Sequence, residues 1–466
     1  MRFVMWCAAC DWNVDPGGPE PSWSRLDRLR RELARRHGER LLREVTADGP
    51  PRGRRDAVSI AAYGIALAVH AVTAALVVGG VLLVVGGWGS VPPVAVGVFL
   101  LALAWTLRPR LGGLPDDVPV LYRKDAPRLY ALIDEVAEAA GTRGVDAVVV
   151  GAEVNAGVTT YGLRRRRVLT LGLGLWEPAT GQERVALLGH ELGHYAHGDV
   201  RHGVVVGGAL RSLAAWHYLV EPVLHPSPLE AVLNVLYIVP RAVILGTHML
   251  LEHLTLRAAQ RGEYLADALS ARVGSTEAAV GVLDLCLVAS AAESFLLRER
   301  NARQVVRAGR TAAPAEPAAR VWTRLAEYVA SIPESEYERQ RRVAALRGHS
   351  VDTTHPPTHL RRIHLLTATP SPATITPSAA VHEEITRELA PARESLAQAL
   401  LLLSKPGARS ASRSSNVVET SDVSINSPGA SLVALHRPSP DRWPHQRSPM
   451  FTRPLTCRNG RHLRTG

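Results

Sequence analysis

From Ala57 to Gly87 no residue carries a formal charge, and from Val91 to Leu107 none does again, with Pro92-Pro93 marking the break between the two runs. About 20 apolar residues in a helix cross the hydrocarbon core of a bilayer, with about 17 as the lower limit. A soluble protein could bury one such helix in its core. Two in succession, bounded by arginine, read as a transmembrane hairpin over residues 57–110. Arg52, Arg54 and Arg55 precede the first run and Arg108 and Arg110 follow the second, while the connection around Trp88 and Ser90 has neither lysine nor arginine. Arginine is retained on the cytoplasmic side, so both ends of the hairpin are expected there, in a multi-pass protein of the cell membrane.

The rest of the 466-residue chain divides by composition. Residues 1–20 form an arm containing Cys7-Ala-Ala-Cys10, which is either half of a zinc ribbon, with two of the four ligands a tetrahedral ion needs, or a free thiol pair. Residues 21–56 carry Leu26, Leu29, Leu33, Leu41 and Leu42 among many arginines, the pattern of a basic amphipathic helix that lies on a membrane surface. Residues 111–403 form the main domain, and it contains a second apolar hairpin at about 203–251. The stretches Val204–Leu224 and Leu229–Leu251 are interrupted by Arg211, Glu221 and Arg241, which must face water, a partner charge or the protein interior. Residues 404–466 are rich in Ser, Pro and Arg and are expected to be a disordered basic tail.

Four scattered cysteines are too few to staple this chain and fit a reducing compartment. The formal charge of +11 is almost all arginine, since Lys124 and Lys405 are the only lysines. No nucleic-acid recognition pattern or interleaved aromatic platform accompanies it, so nucleic acid is excluded as a partner. Within the main domain, helices are expected over 126–140, 184–197, 276–300, 316–347 and 380–403, and strands over 145–154 and 168–173. The fold class is mainly α with a small β-sheet, of the α+β kind.

His190-Glu191-Leu192-Gly193-His194 places two imidazoles one turn apart on the same helix face, where both can reach one Zn²⁺. Glu191 lies beside that face, in position to take a proton from water attacking a carbonyl. The alternative is a helix whose histidines only cap or hydrogen-bond. A hydrolytic zinc site needs a third protein ligand and an open position, and Glu263-Tyr-Leu-Ala-Asp267 offers two carboxylates one turn apart. One can bind metal while the other, Asp267, accepts a hydrogen bond from the far nitrogen of His190 and fixes its tautomer. His253 is a candidate donor to the transition state, and His197 and Asp199 end the active-site helix.

Asn155-Ala156 in an extended stretch, the His-Glu-Leu-Gly-His helix running on to Gly198-Asp199, Glu263-Tyr264-x-Ala266-Asp267, and Thr354-His355-Pro356-Pro357 followed by Arg361 occur in this order. Over residues 57–365 the chain resembles the membrane zinc metalloproteases that include HtpX-type heat-shock proteases and CAAX prenyl endoproteases. The resemblance implies a zincin-like metallopeptidase domain with one catalytic Zn²⁺ held by His190, His194 and Glu263. It implies Glu191 as catalytic base, Asp267 behind a ligand, and Asn155 and Ala156 on an edge strand that pairs with an extended polypeptide substrate. Gln260, with Arg261 one place later, stands where family members often have arginine, and the resemblance does not say which of Arg361 and Arg362 reaches the site. The expected activity is endopeptidase at the cytoplasmic face, on membrane or misfolded proteins. The competing reading is a non-catalytic, zinc-stabilised membrane scaffold or sensor.

Overall fold

The computed structural model describes residues 3–16, 38–44, 46, 57–108, 113–115, 117–162, 164–196, 199–223, 227–308, 317–347 and 356–402. Apart from a helical piece over 38–44, the basic helix expected at 21–56 lies outside the described residues. So do His197, Thr354, His355 and the tail. The described chain is mostly helical with one small sheet, as its patterning predicts.

The first uncharged run is the helix α1 (Ala57–Gly86), which among the described helices is the one long and apolar enough by itself to cross a membrane. The second run is the shorter α2 (Val91–Leu107), with two prolines in its first turn, where missing N–H groups leave no helical bond unmade. The helices meet backbone to backbone. A Cβ on Gly80 would lie 2.9 Å from the Gly97 carbonyl oxygen, and one on Gly97 would lie 2.7 Å from that of Gly80.

A four-stranded sheet follows: β1 (Val120–Leu121), then helix α3 (Pro127–Ala139), then β2 (Ala147–Gly151), β3 (Ala156–Tyr161) and β4 (Arg166–Gly172), in the order β1-β2-β4-β3. β2 runs parallel to β4, and β3 pairs antiparallel with β4 as an edge. Alternation assigns the faces. Val148, Val150, Leu169 and Leu171 join the main core with Leu129, Ile133 and Val136 of α3, while Ala147, Val149 and Val168 form a separate small cluster.

A short turn of helix, α4 (Leu173–Trp176), leads to α5 (Gly181–Ala196), which carries the His-Glu-Leu-Gly-His motif. Its start is set by a reciprocal cap. The Thr180 N–H donates to Glu183 at 2.7 Å and the Glu183 N–H donates to the Thr180 hydroxyl at 3.3 Å. From α5 the chain turns into α6 (Asp199–Leu219), which packs along the first hairpin. His70 Nε2 lies 3.0 Å from the Val205 carbonyl, and Trp216 donates to the Leu107 carbonyl at 3.1 Å.

The region of the expected second hairpin holds α6 and then a bent pair of helices that together are apolar enough for a broken span. α6 does not meet the length and apolarity of a spanning helix, and the apolar stretch at 229–251 is split between α7 (Pro228–Leu236) and α8 (Ile238–Gly274) with a 47° bend. With no proline after Pro240, α8 then runs unbroken from the apolar segment to Glu263 and Asp267. Arg241 is accommodated by donating twice to the Val220 carbonyl, at 2.8 and 2.6 Å.

The three longest helices expected downstream each break. The stretch at 276–300 divides into α9 (Thr276–Leu287) and α10 (Ala289–Ala308), and 316–347 into α11 (Arg320–Ala330) and α12 (Glu334–Arg347) on either side of Pro333. After α13 (Thr358–Thr367), the stretch at 380–403 divides into α14 (Ala379–Glu388) and α15 (Ala390–Leu402), with Pro391 at the start of the second. α9 and α10 together are apolar enough for a bent span, but Ala278, Val282, Leu283 and Leu285 of α9 lie in the main core beside the sheet and α5, so their apolarity serves internal packing.

The metal-motif helix α5 lies unusually close to α8. A Cβ on Gly189 would come 2.2 Å from Val273 Cγ2, one on Gly193 would come 3.0 Å from Ala266 Cα, and one on Gly274 would come 2.6 Å from Ala186 Cβ. The Ser270 hydroxyl donates across the contact to the Ala186 carbonyl at 2.7 Å. Small residues opposite one another therefore set the crossing distance. Gly189→Ala is expected to destabilise the protein by about 1–3 kcal/mol through overpacking. Adding Val273→Ala should recover most of the loss in thermal unfolding, and no recovery would show that the contact does not set the spacing.

Candidate metal centre

α5 and α8 bring His190, His194 and Glu263 together. His190 Nε2 lies 3.5 Å from one Glu263 oxygen, His194 Nε2 lies 3.6 Å from the other, and the donor atoms all fall within 4.8 Å of one another. For metal–ligand bonds of about 2.1 Å, a tetrahedral site has donors about 3.4 Å apart, so the three side chains fit a divalent ion of that size. The two imidazoles are edge to face, with centroids 4.9 Å apart. His190 and Glu263 are buried and His194 is half-buried, which leaves the His194 side as the open approach.

Asp267 lies against His190. Its Oδ1 lies 3.1 Å from His190 Nδ1, which holds the Nδ1 proton and leaves Nε2 facing Glu263. Arg361, on α13, closes the site from the third side. Its guanidinium donates to both Asp267 oxygens, at 2.8 and 2.6 Å, and lies 3.3 Å from Glu263 Oε2. Of the arginine pair, it is thus Arg361 that reaches the centre, whereas Arg362 pairs with Asp284 at 3.2 Å.

These buried charges explain one another. Burial alone would raise the Asp267 carboxyl, but the Arg361 guanidinium outweighs it and holds that group well below the carboxylate range. Burial and Arg361 both push His190 down, and hydrogen bonds to Asp267 and Glu263 more than reverse this, lifting the imidazole to about 10. Glu263 and Asp267 together face the single positive charge of Arg361. The pocket therefore favours one more positive charge at the His190 Nε2 position, a proton or a metal cation.

Glu191 is buried in α5 beside the ligand face. Ala156 opens the edge strand β3 and Asn155 immediately precedes it. The Asn155 side-chain oxygen accepts from the Ala156 N–H at 2.9 Å, and its backbone carbonyl accepts from the Gly172 N–H at 3.0 Å. Tyr195, which the motif reading did not single out, ties this strand to the metal helix, its hydroxyl lying 2.5 Å from the Thr159 carbonyl and 3.0 Å from that of Val168. Its place directly after His194 was the available signal. His253 is exposed and sits about 15 Å from Glu263 along α8, so it does not join the centre. Gln260 is buried on α8.

A motif helix beside a small mixed sheet, with two imidazoles completed by an acid from a second helix, gives a His₂Glu group that could hold a metal ion, the ligand set of hydrolytic zinc sites. The sequence profile described as peptidase family M48 matches residues 123–369, and the chain belongs to that family, which contains the HtpX-type and CAAX proteases. Membership implies a metallopeptidase hydrolase. No curated protein and no solved structure matches the chain.

Arg361→Met leaves two buried carboxylates without their cation. It should cost about 3–5 kcal/mol of stability and lower metal affinity about 10–100-fold. Denaturant unfolding and metal titration read the two effects. Asp267→Asn added to Arg361→Met should restore part of the stability and none of the affinity. Unchanged metal affinity in Arg361→Met would refute the role of this network in holding the ligands.

Proposed function

We propose that this chain is a membrane-bound, zinc-dependent endopeptidase that hydrolyses peptide bonds of membrane or misfolded proteins at the cytoplasmic face. The observation that carries the proposal is the convergence of Glu263, from a separate helix, on the Nε2 atoms of both motif histidines. His190, His194 and Glu263 would hold the ion, whose chemistry when bound is to polarise the scissile carbonyl and to lower the pKa of water at the open position to about 7. Glu191 accepts the proton of the attacking water and passes it to the leaving amine. Asp267 keeps His190 in the tautomer that presents Nε2. Arg361 neutralises Asp267 so that the carboxylate stays ionised in a buried setting.

The substrate would lie extended along β3, whose outer edge pairs with no strand among the described residues. Backbone pairing from the Asn155-Ala156 end would hold the peptide, and the Tyr195 anchor keeps that edge in register with the metal helix. Main-chain recognition suits an endopeptidase that accepts many sequences.

The membrane assignment is supported by the outward faces of α1 and α2, where Ile60, Leu67, Leu82, Val85, Phe99 and Trp105 are exposed. In water such a surface is unfavourable, and in lipid it is the expected one. The Gly80–Gly97 contact is the small-residue packing that helices use where lipid gives no hydrophobic drive to association. Arginine at both ends of the hairpin supports a catalytic domain on the cytoplasmic side.

The test is purification of the full chain in detergent, followed by metal analysis and casein cleavage. Glu191→Gln should keep bound zinc and lose about 10²–10⁴-fold in turnover. Equal cleavage by parent and variant would remove Glu191 from the mechanism, and zinc-loaded parent protein with no turnover would favour the scaffold reading. Chelation should abolish cleavage, and added zinc should restore it. In membrane fractions the chain should resist alkaline extraction, and its release would overturn the transmembrane hairpin.

A further inference from the structure

Asp284 puts a carboxylate in the middle of the apolar run at 278–287 of α9. Its neighbours Val282, Leu283 and Leu285 lie in the main core, and Asp284 itself is buried. A buried charge is costly unless it is paired, so its partners show what it does. Two arginines supply them. Arg341 of α12 donates to both oxygens, at 3.1 and 2.5 Å, and Arg362 Nε of α13 lies 3.2 Å from Oδ1. Arg341 also pairs with Glu334 and Glu338, whereas Asp284 is the one carboxylate paired with Arg362 among the described residues.

Arg362 is the chain neighbour of Arg361, and this adjacency gives the pair its consequence. Successive residues of an α-helix point about 100° apart around the axis. Arg361 reaches α8, where its guanidinium lies 2.6 Å from Asp267 and 3.3 Å from Glu263. Arg362 reaches α9. One ion pair would leave a helix free to roll about the contact, but two in different directions fix both its rotation and its height. α13 is ten residues long, has Pro357 at its N-cap, whose side chain accepts no hydrogen bond, and exposes Ile363 and Leu366. A helix of that length takes its position from tertiary contacts.

We propose that Asp284 is a positioning residue for the His190/His194/Glu263 group: by holding Arg362 it sets the rotation of α13 and so keeps Arg361 against Asp267 and Glu263. Asp284 is not one of the three candidate ligands and acts through two successive side chains of one helix. Its effect on zinc rests on the reading of that group as a metal site. Arg341 has a different part, since it ties the same carboxylate to α12 and touches no group of the centre.

Zinc titration of the full chain in detergent reads the effect. Asp284→Asn and Arg362→Met should each weaken zinc binding about tenfold, the lower end of what loss of a ligand's supporting network costs. Arg362→Met, at a partly exposed side chain, carries this measurement if Asp284→Asn does not fold. In the Arg361→Met background neither change should weaken binding further by more than about twofold, since no guanidinium is left to place. Arg341→Met, which removes the tie to α12 and keeps the Arg362 pair, should also stay within about twofold of the parent. Unchanged affinity in Asp284→Asn and Arg362→Met, an equal loss in Arg341→Met, or a loss that persists in the Arg361→Met background overturns the role. Metal-free urea unfolding keeps the result apart from the metal assignment. Asp284 and Arg361 share no ion-pair partner, so Asp284→Asn and Arg361→Met should act additively unless α13 couples them. With coupling, the unfolding constant of the double variant should depart from additivity by about threefold or more, and additive behaviour overturns the proposal. A parent chain that binds no zinc would remove the metal site, and the unfolding cycle would still decide for or against Asp284.

Discussion

The catalytic domain depends on how closely two helices approach. A glutamate side chain is short, and Glu263 reaches both imidazoles because Gly189, Gly193 and Ala186 on α5 meet Ala266, Ser270, Val273 and Gly274 on α8 with almost no side chain between them. At ordinary helix separations of about 8–10 Å, side chains fill the gap and the donors stand apart. The glycine inside His190-Glu191-Leu192-Gly193-His194 thus does structural work for the ligands on either side of it.

Closeness alone would leave an unstable cluster, since three carboxylates and two imidazoles out of water repel or lose their charges. The Arg361 guanidinium resolves this by pairing with Asp267 and Glu263 together. Because the arginine balances one carboxylate charge but not all of them, the pocket keeps a preference for a cation at the point where the two Nε2 atoms face Glu263. The same network makes the metal site sensitive to α13, an element that contributes no ligand.

The apolar helices and the centre are linked along the chain as well as by packing. α8 carries apolar residues at its start and Glu263 and Asp267 near its end, and α6 runs from the motif helix to pack on α1 and α2. An apolar segment and the carboxylate that meets both imidazoles therefore share one helix. Tyr195 extends the same coupling to β3, so the edge strand, the motif helix and the apolar helices form one continuous set of contacts.

Much of this was legible in the residues. An uncharged run can be read without knowing what surrounds it, because its cost in water depends on its own composition. The i, i+4 spacing places His190 and His194 on one face by helical geometry alone, and the mainly helical fold with a small sheet followed from local periodicity. The helix breaks near Val288, Pro333 and Leu389 were less visible, since apolar spacing continues across them while the backbone turns. The sequence could not show which of Arg361 and Arg362 enters the centre, that His253 does not join it, or that α5 and α8 touch through glycine. Those outcomes depend on which residues lie opposite one another across a helix crossing, and periodicity along one segment carries no information about the segment it will meet.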